Sequence, residues 1–299
     1  MSGRRLETVV YTAVALMAFA ANSILCRMAL GQGSVDAATF SIVRVLSGAA
    51  MLLAVSARIR GSVFPVGGSW TAAALLVVYA FPFAFAYNQL SAGTGALILF
   101  GCVQVTMPLA ALMSGERPHP LQWVGLAVAL GGLAYLVSPG LTAPSPTGAA
   151  LMVIAGVAWG AYSLAGLGGV NPGSPRRTPA PWGGSPLSQT TGNFVRAVPL
   201  IGMAGLMFLP RLHVEPRGVL LSVASGAVTS GLGYVAWYAA VRGLTAMRAS
   251  VVQLAVPVVA AIGGVLLLSE TITLRLLLST VLVLGGIAMA IVARQRREA

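Results

Sequence analysis

The sequence predicts an all-α membrane protein, with ten transmembrane helices arranged as two five-helix repeats of opposite orientation. Three observations carry that prediction. Apolar residues make up 57% of the 299 and charged residues 8%, where a soluble domain carries about a quarter charged. Ten stretches of about 20 mostly apolar residues are long enough to cross the hydrocarbon core as helices, and the short alternating segments of a membrane β-barrel are absent. Finally, the chain repeats itself. Val103-Gln104-Val105-Thr106-Met107-Pro108 returns as Val252-Gln253-Leu254-Ala255-Val256-Pro257, Gly131-Gly132-Leu133-Ala134 as Gly285-Gly286-Ile287-Ala288, and Thr39 to Arg44 as Thr191 to Arg196. The repeats divide the chain into a first domain, 1–142, and a second, 143–299.

Charge fixes the orientation of each half. All 18 basic residues are arginine and there are 6 acids, a formal net charge of +12. In a soluble protein this excess points to nucleic acid, but here the arginines stand at span ends, where they act as orientation signals. With connections counted alternately, twelve arginines (4, 5, 58, 60, 117, 176, 177, 242, 248, 294, 296 and 297) fall on one side and four (27, 211, 217 and 275) on the other. The positive side is cytoplasmic and holds both termini. Five spans per half is an odd number, so the second half enters the membrane from the opposite face.

The spans are expected near 8–30, 36–57, 70–90, 93–114, 121–139, 148–168, 188–209, 217–241, 246–268 and 274–293. Span 1 carries Asn22-Ser23 near its middle, either an interhelical hydrogen bond or a polar point on a substrate site. The start, Arg4-Arg5 with Ala18-Phe19-Ala20 downstream, resembles a signal peptide, but the apolar run continues past it and the inverted half needs a first-span counterpart. Spans 2 and 7 hold Arg44 and Arg196 on the order of 12 Å from the nearer helix end, too deep for lipid. Ion pairs are expected across the halves, Arg44 with Glu270 and Arg196 with Glu116, since a semi-buried arginine is least costly beside a carboxylate; the alternative is snorkelling to headgroups.

Span 3 is the aromatic one, with Tyr79, Phe83 and Tyr87 on one helix face. Phe100 and Gln104 fall on span 4, and Gln253 on span 9, each glutamine four residues before a proline, Pro108 or Pro257. A proline inside a helix deletes a backbone hydrogen bond and permits a bend, so these are candidate hinges. Spans 5 and 10 carry diglycines and read as scaffold or a dimer surface. Span 6 offers Trp159, Tyr162 and Ser163, with Gly156 and Gly160 allowing close helix approach. Span 8 offers Tyr234, Trp237 and Tyr238, near enough to the inner end to belong to an interfacial belt instead. The segment 168–186, rich in Gly, Pro and Ser, is expected to tether the halves.

The chemistry excluded is as informative. Cys26 and Cys102 lie inside spans and read as small apolar residues, not a disulfide or zinc site. The acids and both histidines lie at span ends or beyond, so no cofactor, metal or catalytic cluster is expected, and no membrane-interior carboxylate serves as a proton relay. The prediction is a neutral, aromatic and amide-lined site: Asn22, Gln104, Gln253 and Ser163 toward polar groups, and Tyr79, Phe83, Tyr87, Phe100, Trp159, Tyr162 and Trp237 toward an apolar part.

The repeated proline motif, with Ser114-Gly115-Glu116 and Leu268-Ser269-Glu270 after it, resembles the drug/metabolite transporter superfamily with EamA-type domains in tandem. The aromatic span 3 is similar to the bacterial aromatic amino-acid exporters of the YddG type. The resemblance implies a basket of helices around a central cavity in a bacterial inner membrane, exporting aromatic or hydrophobic amino acids and related metabolites by alternating access. A broad drug/metabolite or sugar-nucleotide carrier, with or without proton coupling, is the alternative. The partners expected are a small-molecule substrate and the lipid bilayer, with the protein a monomer or weak homodimer. One departure stands out: Glu116 lies eight positions after Pro108 and Glu270 thirteen positions after Pro257, so the halves are unequal around the hinge.

Overall fold

The structure is a computed structural model describing residues 3–60, 67–113, 120–140, 143–166, 185–208, 210, 212–244, 249 and 252–298. Its elements are helices: α1 (Gly3–Gly31), α2 (Ala37–Arg60), α3 (Trp70–Tyr87), α4 (Ala92–Met113), α5 (Pro120–Val137), α6 (Pro146–Gly166), α7 (Pro186–Leu206), α8 (Pro216–Arg242), α9 (Ala255–Leu268) and α10 (Leu274–Glu298). No strand is formed among the described residues, apart from an isolated antiparallel bridge between Val35 and Val214.

Five of these helices are long and apolar enough to cross a membrane: Leu6–Gly31, Ala37–Ile59, Trp70–Tyr87, Pro146–Ala165 and Pro216–Arg242. Four shorter apolar stretches, Ala92–Met107, Trp123–Val137, Ala255–Leu268 and Leu274–Gly286, lie on α4, α5, α9 and α10. Helix α7 stands apart because Ser188, Gln189, Thr190, Thr191 and Asn193 crowd its first turns, and all five are buried inside the bundle. The exterior is apolar instead, with Val9, Val14, Met17, Leu266, Leu267, Leu277 and Val281 exposed, as a lipid-facing surface requires. The protein is a multi-pass membrane protein.

Small residues set how closely the helices approach. In the α5–α10 pair, Gly132 lies against Leu282 and Val283 while Gly286 lies against the Gly125 carbonyl and Ala129. Their diglycine partners, Gly131 and Gly285, meet nothing within 4 Å, so one glycine of each pair makes the contact. Gly156 of α6 sits over the Leu99 carbonyl of α4, where an added Cβ would come within 2.6 Å. Helix α8 is interrupted at Ser225–Leu232 by a π segment. Such a widened turn shifts the register of the side chains after it and recurs at functional sites. Gly226 within it packs directly on the Arg44 carbonyl and Ser47 of α2.

Contacts at the two ends place the helices. At one end the α1–α2 turn meets the segment before α8 through the Val35–Val214 bridge, and Arg275 at the start of α10 donates to the Ser138 carbonyl after α5. At the other, Gly243 after α8 packs on Thr8 of α1, and the Ser69 amide donates to Asn193 of α7.

The structure corrects the sequence at span 9, which was expected to run unbroken over 246–268. A turn at residues 253–254 interrupts it, and α9 begins at Ala255. Pro257 therefore occupies the first turn of α9, where amides lack intrahelical acceptors, so it removes no hydrogen bond there and marks a restart rather than a bend. Pro108 does lie inside α4. The expected tether falls mostly outside the described residues, as does Glu116.

Asp36 joins the α1–α2 turn to the 212–215 segment. Its carboxylate accepts from the Thr39 amide at 2.9 Å and the His213 amide at 3.1 Å, while its own amide donates to the His213 carbonyl at 3.0 Å. Partial burial pushes its pKa up, but hydrogen bonds from Thr39, His213 and Ala38 outweigh this and hold it below the ordinary carboxylate value. A depressed folded pKa means stability that is complete above the unfolded value, near pH ~4, and lost as the pH falls through the folded value. In thermal melts of the detergent-solubilised protein, Asp36→Asn should unfold at lower temperature than wild type at pH 7, and the gap should close below about pH 4.

Candidate functional site

The buried interior is an aromatic and polar cluster built from both halves of the chain, centred on Arg44 of α2. The arginine is 1% exposed. Its Nε donates to Ser230 Oγ at 2.8 Å, and its Nη2 donates to the hydroxyls of Tyr79 at 3.0 Å and Tyr234 at 2.8 Å. The guanidinium carbon also lies 5.1 Å from the Tyr79 ring centroid and 4.9 Å from that of Phe83, within the range where the ring face attracts a cation. Ser230 belongs to the π segment of α8. The same segment gives Ser225 and Thr229, whose hydroxyls donate to Asn22 Oδ1 at 2.7 and 3.2 Å, while Asn22 Nδ2 donates to Tyr79 at 3.3 Å. One tyrosine hydroxyl thus serves both Asn22 and Arg44.

Around this polar centre the rings pack on one another. Trp159 of α6 lies 5.1 Å from Tyr79, 4.7 Å from Tyr234 and 5.5 Å from Tyr162 between centroids. Phe19 of α1 meets Trp159, Trp237, Tyr234 and Phe100. The Trp159 Nε1 donates to Gln253 Oε1 at 3.1 Å, while Gln253 Nε2 donates to the Ala249 carbonyl at 3.0 Å. This tie holds the residues just before α9 against α6. The Trp237 Nε1 donates to Ser163 Oγ at 3.4 Å, the Tyr238 hydroxyl donates to the Tyr162 carbonyl, and Asn193 Nδ2 donates to the Tyr162 hydroxyl. Burial of Trp237 and Tyr238 rules out an interfacial belt.

Asn22, Tyr79, Phe83, Phe100, Trp159, Tyr162, Ser163, Trp237 and Gln253 are brought together in this one cluster. Tyr87 joins it at the edge through Phe83, 4.8 Å away between centroids, and Gln104 is buried on α4. One expectation is corrected: the interior is not neutral, because Arg44 lies among these residues. Phe19 and the π-segment hydroxyls were not assigned from the sequence, Tyr234 was noted on span 8 without a place in the site, and Arg44 was assigned to an ion pair instead. Ser225, Thr229 and Ser230, spaced four and five apart in an apolar span, were the visible signal for the last group.

The expected pair of Arg44 with Glu270 does not form. Glu270 follows α9 and pairs with Arg27 of α1, Nε to Oε1 at 3.2 Å, while both carboxylate oxygens accept from the Ala92 amide at 3.1 and 2.9 Å. The reason is position: the first turn of α4 offers free amides and a positive dipole end, and Arg27 reaches it, whereas Arg44 points into the core. Arg27 also donates to the Tyr87 carbonyl at 2.9 Å, so α1, α3, α4 and α9 are tied at this end. Beside the pair lies a cavity of about 380 Å³ lined by Gln89, Ser91, Thr94, Glu270 and Thr273 among others. Arg196 donates to the Gly67 and Gly192 carbonyls at 2.9 and 3.0 Å; its expected partner Glu116 lies outside the described residues.

Residues 146–292 match the model of the EamA-like transporter family. A Pseudomonas aeruginosa protein, itself uncharacterised, is 45% identical over 98% of this chain and 97% of its own length. The second half of the chain belongs to the EamA-like transporter family. An uncharacterised transporter of Archaeoglobus fulgidus is 28% identical over 69% of the chain and 70% of its own length. The threonine/homoserine exporter RhtA of Salmonella typhimurium is 30% identical over 62% of the chain and 59% of its own length. A solved crystal structure, 19% identical, covers 95% of this chain and 99% of its own with a TM-score of 0.67, so the fold recurs. This is a family of transporters.

Because the Tyr79 hydroxyl is shared, its removal leaves Asn22 Nδ2 without its acceptor and weakens the solvation of Arg44. A buried group so deprived costs about 1–3 kcal/mol. Tyr79→Phe should therefore lower the melting temperature of the purified protein, and more than Phe83→Leu does; equal effects would mean that ring packing alone matters.

Proposed function

We propose that this EamA-like transporter exports hydrophobic and aromatic amino acids and related metabolites across the bacterial inner membrane by alternating access, with both termini cytoplasmic and without proton coupling. The observation that carries the reading is the buried cluster of Arg44, Asn22, Tyr79, Tyr234, Trp159 and Gln253, which joins a polar centre to aromatic walls and draws on both halves of the chain. A site between repeats at mid-depth is where secondary transporters hold their substrates. Contacts at the two helix ends support a topology of two inverted five-helix repeats, with α5 and α10 as scaffold.

In the packed cluster the rings occupy one another, so a substrate enters only when the helices part. Two irregular elements suit such a motion: the π segment of α8 and the turn before α9. The Arg27–Glu270 pair, with its link to Ala92, is the closure at the outer end. The absence of a carboxylate from the described cluster supports transport down the substrate gradient, since a proton relay commonly needs one. A second reading, small hydroxylated amino acids, is favoured by the hydroxyl-rich wall of Ser225, Thr229 and Ser230 and by the likeness to the Salmonella exporter.

In proteoliposomes holding the purified protein, unlabelled phenylalanine inside should drive counterflow uptake of labelled phenylalanine with no pH gradient imposed. Threonine exchanging faster than phenylalanine would favour the second reading. A strict need for a proton gradient would remove uncoupled transport, and no flux of either amino acid would remove amino-acid export.

A further inference from the structure

Arg44 carries more donors than its surroundings use. A guanidinium has five N–H groups; Nε and Nη2 are engaged by three hydroxyls, and Nη1 is buried with no hydrogen-bond partner. Every partner is neutral. Among the described residues no carboxylate reaches the group, since Glu270 is taken by Arg27 and Ala92. A buried cation without a counter-charge is expensive, and removal of a hydrogen-bond partner from a buried group is the dearest way to leave it. The cost is sustained at a position where two helices, α3 and α8, turn three hydroxyls toward one guanidinium on α2, and where one of them, Ser230, belongs to the π segment of α8.

We infer that Arg44 anchors the carboxylate of the transported molecule through its unused Nη1 donors, so the substrates of this site are small monocarboxylates with an apolar or aromatic body. This rests on the transport reading and names its substrate class. One guanidinium offsets one carboxylate; a dicarboxylate brings a second negative charge with no cation in the described cluster to meet it. An amine lacking the acid group is repelled. Phe83, Phe19 and Trp159 flank the arginine or its tyrosine partners and take the body of the molecule. Asn22 Oδ1 and the hydroxyls of Ser225 and Thr229 are the acceptors present for an α-ammonium group. The carboxylate belongs either to an amino-acid zwitterion or to a simple organic acid, and only the former uses those acceptors.

Ligand binding to the full-length detergent-solubilised protein, read as a shift in melting temperature with ligand concentration, tests this with two matched pairs: phenylalanine against phenylalaninamide, and phenylacetate against phenylacetamide. Each acid should bind about 10- to 100-fold tighter than its amide, the span expected for one charge-assisted hydrogen bond. Phenylalanine above phenylacetate assigns the zwitterion, and the reverse order assigns the simple acid; both outcomes uphold the anchor. Arg44→Gln should erase the difference between acid and amide, and Arg44→Lys should retain part of it. Equal binding of acid and amide by wild type, or binding of neither acid, overturns the assignment without any variant having to fold. Acid-selective binding with no counterflow of any amino acid would keep the anchor and discard the transport reading. Counterflow that does not discriminate acid from amide would do the opposite.

Discussion

A guanidinium buried inside the bundle, with no carboxylate in reach among the described residues, is the constraint to which the rest of this structure answers. Burial of such a charge is tolerable only where polar groups and ring faces are turned toward it, and here they come from widely separated parts of the chain. Tyr79 arrives from α3, and Ser230 and Tyr234 from α8, some 190 residues beyond the arginine in the case of Tyr234. The two halves are thereby locked at their centre by a polar interaction rather than by apolar packing, which in lipid offers little preference for one helix neighbour over another.

Meeting that constraint bends the helices that supply the partners. The π segment of α8 sets Ser225, Thr229 and Ser230 toward α1 and α2 at once, and Gly226 lets the backbone come down onto Arg44 of the facing helix. The turn before α9 frees Gln253 to bond Trp159 on α6. Backbone irregularity of this kind is tolerated in a membrane only where protein surrounds it, and both irregular segments have buried residues. The α5–α10 pair, with one glycine of each diglycine in the contact, has no such interruption.

At the end of the bundle the electrostatics are of a different kind. Arg27 and Glu270 form an ordinary ion pair that is part exposed, reinforced by the amide at the start of α4. A pair in that setting can be broken and remade as water reaches it, because the loss of its partner does not strand a charge in hydrocarbon. Arg44 has no such freedom. The contrast gives the molecule one durable polar centre and one labile polar contact at its end, which suits the alternating access proposed above.

By itself the sequence determined the membrane as solvent, the positions of most helices and the aromatic and amide residues that are buried in the interior. Those follow from composition, from apolar run length and from recurrence of short motifs, all properties read along one dimension. The tertiary structure alone decided which charge meets which. Arg44 and Glu270 sat on spans that the sequence places near the same face, so pairing them was the electrostatically economical guess. The helix geometry instead gave the carboxylate to Arg27 and the α4 amides, and gave the arginine to hydroxyls. It also decided that α8 widens at Ser225 and that α9 restarts before Pro257. A proline signals a break without saying on which side the chain resumes, and a π turn leaves no mark in apolar periodicity, because its cause is a partner on another helix.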